Sequence, residues 1–64
     1  MVKINGKNID VVGISIEKYL MDAKYDTKRV AVELNGDILP KSQYENTYFK
    51  DGDSVEVVSF VGGG

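Results

Sequence analysis

The most unusual chemical group in this sequence is the carboxylate that follows three consecutive glycines, Gly62, Gly63 and Gly64. Because glycine has no side chain, such a tail can thread through a narrow tunnel and adopt backbone angles that other residues avoid. A terminal carboxyl group has a pKa of about 3.5, so it is ionised at neutral pH and poorly electrophilic. It becomes an acyl donor only after it attacks the α-phosphorus of a nucleotide to form an acyl-adenylate. A glycine-rich end is also typical of a frayed terminus or a cloning remnant, and composition alone leaves both interpretations open.

Most other catalytic chemistry is excluded by composition. The 64 residues contain no cysteine and no histidine, which excludes disulfides, Cys/His metal sites and thiol or imidazole catalysis. A chain this short has room for one core, and a substrate pocket would compete with that core for the same apolar side chains. We therefore predict that the protein is not an enzyme and binds no metal or cofactor itself, so that a partner must supply the chemistry at its C-terminus.

The charged residues suggest no further class of ligand. Eight Lys/Arg and ten Asp/Glu give a net charge of -2, and the basic residues are spread along the chain, which disfavours nucleic-acid binding. The adjacent pair Lys28-Arg29 is typical of a solvated turn, with part of a protein docking surface as the alternative. Asp51 and Asp53 flank Gly52; two carboxylates there could act in catalysis or bind a metal, but without further ligands a solvated chain reversal is favoured.

No targeting segment is visible in the sequence. The first residues lack the long apolar run of a signal peptide, and no stretch approaches the length of a membrane span. These patterns predict a cytoplasmic protein that does not bind membranes.

Two Asn-Gly pairs, Asn5-Gly6 and Asn35-Gly36, predict two β-hairpins, because both residue types tolerate the positive φ angles of tight turns. The second hairpin ends at Pro40, which cannot continue the ladder. The predicted strands cover residues 2–5, 7–12, 30–34, 38–39 and 54–61.

A single helix is predicted over residues 16–24. Ser15 can cap its first turn, although Lys18 stands where a capping box has Glu or Gln. Apolar residues at i, i+3, i+4 and i+7 predict its core-facing side: Ile16, Tyr19, Leu20 and Ala23. Residues 41–50 are expected to form a loop with one helical turn, and its aromatic residues are expected to close the edge of the core: Tyr44, Tyr48 and Phe49.

The far end of the last strand is apolar on both faces. Val55 and Val57 share one face, whereas Val58 and Phe60 lie on the other. One helix cannot cover both faces of a sheet, so the second face is either covered by the loop aromatics or exposed for contact. Val58 and Phe60 are therefore candidate partner-docking residues.

The order of these elements is hairpin, helix, hairpin and final strand. The first and last strands are the expected central neighbours, because the last strand has the longest apolar run. This predicts an α+β fold of the β-grasp, or ubiquitin-like, type, with a mixed four- to five-stranded sheet packed on one helix. We expect one domain over residues 1–61, a flexible tail over residues 62–64, and a monomer when free.

The chain resembles the thiamine-biosynthesis sulfur-carrier proteins, the ThiS family. The resemblance rests on VAVELNGDILP at residues 30–40, DGDSVEVVSFVGGG at residues 51–64 and the helix start at Ser15-Ile16. The glycine tail after Phe-Val is its most specific part. Lys24 stands where the family often has glycine and Thr27 where it often has proline, and both departures lie in the turn between helix and strand.

This resemblance implies a cycle of sulfur transfer. An E1-like adenylyltransferase uses ATP and magnesium to make an acyl-adenylate at Gly64, with Gly62 and Gly63 threading into its active site. Sulfur from a cysteine desulfurase route converts the adenylate to a thiocarboxylate, and a thiazole synthase takes that sulfur into the thiazole ring of thiamine. Because the chain has no cysteine, only its C-terminus can carry the sulfur.

Three alternatives remain open at this point. The small subunit of molybdopterin synthase uses the same chemistry, but such proteins commonly have prolines before the terminal Gly-Gly, where this chain has Ser59-Phe60-Val61. A ubiquitin-like modifier would be conjugated to lysines. A plain interaction module would have inert glycines.

Overall fold

The computed structural model describes residues 1–60, which form five strands, one α-helix and one turn of 3-10 helix. In chain order the elements are β1 (Val2–Ile4), β2 (Lys7–Ile9), α1 (Ile16–Asp22), β3 (Val30–Leu34), β4 (Asp37–Leu39), the 3-10 turn (Lys41–Gln43) and β5 (Ser54–Ser59). This confirms the predicted α+β arrangement of one helix and a four- to five-stranded sheet, and the sheet has five strands.

β5 lies in the middle of the sheet, whose strand order is β2-β1-β5-β3-β4. It pairs with β1 in parallel, with Ile4 opposite Val55. It pairs with β3 in antiparallel fashion, with Val32 opposite Val57. The sheet is therefore mixed, as predicted, and its central strand is the one that leads to the glycine tail.

Both Asn-Gly pairs form the predicted hairpin turns. Asn5 and Gly6 have φ angles of 51° and 82°, and Asn35 has a φ of 52°, as two-residue hairpin loops require. The prediction that β2 continues to residue 12 was wrong, because β1 has only three residues and the ladder ends where Val2 pairs with Ile9.

Helix α1 begins at the predicted cap and ends earlier than predicted. The Ser15 hydroxyl oxygen accepts a hydrogen bond of 3.1 Å from the Lys18 N–H. Ile16 and Leu20 are buried, and the partly buried Tyr19 packs edge-to-face on a loop aromatic, with the ring centroids 5.7 Å apart. Ala23 is exposed at the C-terminal cap, so its predicted place in the core was wrong.

A left-handed residue ends the helix. The Tyr25 N–H donates to the Leu20 carbonyl at 2.8 Å and the Lys24 N–H donates to the Met21 carbonyl at 3.1 Å, the bonding pattern of a Schellman cap. Lys24 has a φ of 67°, a conformation in which a β-carbon costs energy that glycine avoids.

We expect Lys24→Gly to raise the free energy of unfolding by about 1 kcal/mol, because it removes this backbone strain. Urea denaturation measures the change. The matched control is Lys18→Gly inside the same helix, which should lower stability by about 1 kcal/mol through lost helix propensity. If K24G is no more stable than the parent, the strain assigned to Lys24 is absent.

The core of the described residues lies between the sheet and α1. It contains eleven buried apolar residues: Val2, Ile4, Val11, Ile16, Leu20, Val30, Val32, Tyr44, Phe49, Val55 and Val57. The loop after β4 supplies Tyr44 and Phe49, as predicted. Tyr48 points outward and is exposed, so the prediction that all three loop aromatics close the core was wrong for this residue.

Candidate functional site at the end of the last strand

The end of β5 is fixed by its pairing with β3. Val30 lies opposite Ser59, and the Phe60 N–H donates a hydrogen bond of 2.7 Å to the Arg29 carbonyl. The predicted reacting residue Gly64 and the threading residues Gly62 and Gly63 lie outside the described residues, as does the predicted boundary at residue 61. Their roles stay predictions.

An apolar patch lies beside this strand end, on the sheet face opposite the helix. Val58 and Phe60 are 54% and 58% exposed, whereas Val55 and Val57 on the other face are buried. The alternative in which loop aromatics cover the outer face was wrong, because Tyr44 and Phe49 are buried in the core and Tyr48 is itself exposed.

Two further apolar residues belong to this face, and the sequence pattern had not singled them out. Ala31 lies opposite Val58 in the ladder, and Ile38 lies opposite Glu33 and is 69% exposed. Their outward direction could have been predicted from the alternation of side chains along β3 and β4. Val30, Val32 and Leu39 face the core, so their sequence neighbours Ala31 and Ile38 face outward. We call Ala31, Ile38, Val58 and Phe60 the outer-face patch.

Charged residues lie beside the outer-face patch in two places. Glu33 and Glu56 lie directly opposite each other on β3 and β5, an arrangement of like charges that disfavours pairing. Near Phe60, Asp26 accepts a hydrogen bond of 2.9 Å from the Lys28 N–H and forms an exposed ion pair of 3.6 Å with Arg29. The Lys28-Arg29 pair therefore lies in an ordered turn beside the end of β5.

The two carboxylates of the Asp51-Gly52-Asp53 turn hold the chain reversal before β5. Asp53 accepts hydrogen bonds from the Lys50 N–H at 2.8 Å and the Asn35 side chain at 3.0 Å. Asp51 binds the ammonium group of Met1, and this hydrogen bond and positive charge lower the pKa of the Asp51 carboxyl group.

Residues 1–60 contain no pocket and no cluster of three acidic, cysteine or histidine side chains that could hold a metal ion. None of the helices in this part of the chain is long and apolar enough to cross a membrane.

Comparison with known proteins shows the family of this chain. Residues 2–64 match the model of the ThiS family, and this match includes the glycine tail. The sulfur carrier protein ThiS of Bacillus subtilis is 35% identical over 66 residues, an alignment that covers 100% of both chains. The chain belongs to the ThiS family. The resemblance stated from the sequence is therefore confirmed.

A solved ThiS structure and a longer relative extend the comparison. The crystal structure of the thiamine biosynthesis protein ThiS from Geobacter metallireducens has a TM-score of 0.77 and 34% identity, covering 98% of this chain and 97% of that one, which confirms the β-grasp fold. A thiazole synthase of Paramagnetospirillum magneticum is 40% identical over 62 residues, but the chain spans only 19% of that relative's length.

Proposed function

We propose that this ThiS family member is a sulfur carrier of thiamine biosynthesis whose Gly64 carboxylate is adenylated and then converted to a thiocarboxylate. The observation that carries the proposal is the match to the Bacillus subtilis sulfur carrier along the whole length of both chains. The protein acts as a co-substrate in this scheme, and its fold serves to present the tail.

The chemistry proceeds in two substitutions. A Gly64 carboxylate oxygen attacks the α-phosphorus of ATP, and pyrophosphate leaves with the electron pair of the broken P–O bond. Sulfide then attacks the acyl carbon, and AMP leaves with the electron pair of the C–O bond, which gives the thiocarboxylate. When a cysteine desulfurase route delivers the sulfur as a persulfide, the outer persulfide sulfur attacks instead, and a thiol then cleaves the S–S bond of the acyl disulfide, which releases the thiocarboxylate and a disulfide. A magnesium-dependent E1-like adenylyltransferase supplies ATP binding and catalysis.

The thiazole synthase is the proposed acceptor of the sulfur. In Paramagnetospirillum magneticum, a segment similar to this chain occurs within a longer polypeptide called thiazole synthase. Joining two proteins in one chain raises their local concentration, which benefits partners that meet in every cycle. We therefore propose that the free carrier docks on a separate thiazole synthase.

Intact-mass spectrometry tests the proposed modification. After incubation with the adenylyltransferase, ATP, magnesium and sulfide, the protein should gain about 16 Da, because one oxygen of the acyl group is replaced by sulfur. Omission of ATP is the control and should leave the mass unchanged. The adenylyltransferase must first be shown to be active on a carrier that it is known to modify. With that active enzyme, an unchanged mass in the complete mixture would refute the proposal. The starting mass also measures whether the protein ends at Gly64.

The outer-face patch is the proposed docking surface for the adenylyltransferase. Two of its side chains, Val58 and Phe60, lie at the strand end from which the tail continues, so a partner that covers the patch is close to the tail. Apolar patches rimmed by polar residues are typical of protein interaction sites, and aromatic side chains often dominate the binding energy.

We expect Phe60→Ala to raise the dissociation constant of the adenylyltransferase complex about tenfold or more, because Phe60 is the largest side chain of the patch. Isothermal titration calorimetry gives this constant. Met21→Ala is the matched control, since Met21 is equally exposed, at 62%, but lies on the helix. Equal affinities of F60A and M21A would exclude Phe60 from the interface.

A further inference from the structure

Strand β1 leaves β5 before β5 ends. The Asn5 N–H donates a hydrogen bond of 2.9 Å to the Val55 carbonyl, and the chain then turns away at Gly6. In a continued parallel ladder, the Val57 N–H would donate the next hydrogen bond to β1 and the Val57 carbonyl would accept the one after it. Both groups point to the same side of β5 as the Val55 carbonyl. The turn removes the backbone that should bind them.

The side chain of Asn5 binds both of these groups. Its Oδ1 accepts a hydrogen bond of 2.8 Å from the Val57 N–H, and its Nδ2 donates one of 3.2 Å to the Val57 carbonyl. An amide side chain has the same donor and acceptor as a peptide group. Asn5 thus continues the ladder by one step with its side chain, while its backbone, at a φ of 51°, makes the hairpin turn.

Val57 is the last residue of β5 that lies between two neighbours, Asn5 on one side and β3 on the other. The next residues pair with β3, where Val58 lies opposite Ala31 and Ser59 opposite Val30. Gly64 is the seventh residue after Val57. In extended form these residues span about 23 Å, so a tilt of about 10° of the paired β5 and β3 ends relative to β1 would move the carboxylate by about 4 Å.

We propose that Asn5 is a positioning residue for the acyl transfer at Gly64, because it fixes the direction in which β5 delivers the tail. This inference rests on the proposed function and adds to it a residue distant in sequence from the tail. A displacement of 1 Å can cost an enzymatic reaction about a hundredfold, so the hold on Val57 should affect the rate of adenylation. In this role Asn5 acts through its hydrogen bonds to Val57.

The chain contains a matched control for this role. Asn35 is the corresponding residue of the second hairpin, with a φ of 52°. Its Oδ1 accepts a hydrogen bond of 2.8 Å from the Ser54 N–H, and its Nδ2 donates one of 3.0 Å to Asp53. Asn35 therefore binds the beginning of β5 through one backbone N–H and the Asp53 carboxylate, whereas Asn5 binds two backbone groups nearer the tail.

The test compares Asn5→Gly with Asn35→Gly. Glycine keeps both turns, because it tolerates positive φ, and each variant loses one side-chain clamp on β5. ATP-dependent thiocarboxylate formation is measured at a temperature where circular dichroism shows both variants to be folded. We expect N5G to lower kcat about tenfold with little change in KM, since β3 still holds Val58. N35G should stay within about twofold of the parent.

Amide hydrogen exchange provides a readout that does not depend on the partner. The Val57 amide should exchange faster in N5G and the Ser54 amide faster in N35G. Asn5→Asp keeps the acceptor for the Val57 N–H and should recover part of the lost kcat. This variant also serves as the test if N5G does not fold.

Three outcomes would overturn the inference: equal kcat for folded N5G and N35G, unchanged exchange of Val57 in N5G, or a kcat of N5D as low as that of N5G while its Val57 amide is protected. If the parent protein is not modified at all, the proposed function fails instead.

Discussion

Removing Gly63 and Gly64 is expected to abolish thiocarboxylate formation completely while the domain stays folded. The carboxylate would then follow Gly62, about 7 Å short of its place when the tail is extended, and could not reach the α-phosphorus of ATP in the partner. All buried core residues of the described structure lie between residues 2 and 57, so the thermal unfolding midpoint should not change. Intact mass after incubation with the adenylyltransferase, ATP and sulfide measures the loss.

A one-residue extension is the control for this deletion. Adding alanine after Gly64 keeps all three glycines but moves the carboxylate by about 3.5 Å, and this variant should also remain unmodified. Both variants should still bind the adenylyltransferase through the outer-face patch. If the deletion variant keeps its biological activity without being modified, the glycines are inert and the chain is an interaction module.

Replacing Leu20 with alanine is expected to cause the largest loss of stability. Leu20 is completely buried in α1, with 0% exposure, and such a substitution costs about 2–5 kcal/mol through lost burial and the cavity left behind. A domain of this size has a total stability of only about 3–10 kcal/mol. Differential scanning calorimetry should show a fall in Tm of at least about 10 °C.

Met21→Ala is the control for the core substitution. Met21 follows Leu20 in the same helix but is exposed, so its replacement should change stability by no more than about 0.5 kcal/mol. A similar loss in both variants would mean that α1 is stabilised by its own sequence rather than by its packing on the sheet.

Local signals in the sequence predicted most of the fold. The Asn-Gly pairs predicted both hairpins, Ser15 predicted the start of the helix, and the long apolar run of β5 predicted its central position, all confirmed by the structure. These signals succeed because turn geometry, capping and apolar burial each depend on a few adjacent residues. The glycine tail after Phe-Val also indicated the family, whose model matches residues 2–64.

The errors and omissions arise where the usual local signal is missing or where a distant segment decides the outcome. Ala23 fits the apolar stripe, but the helix ends before it because Lys24 takes the left-handed conformation without the glycine that usually marks such a cap. The role of Asn5 was missed because its partner Val57 lies 52 residues away.

The central position of β5 has a consequence for synthesis of the protein. A ribosome makes the four other strands and the helix first, but β1 and β3 have no partner between them until β5 emerges. A chain that stops before residue 54 lacks the middle of its sheet and cannot complete the core, so it stays open to proteases. Folding therefore requires translation at least through β5, the strand that leads to the tail, and chains that end earlier are expected to be degraded.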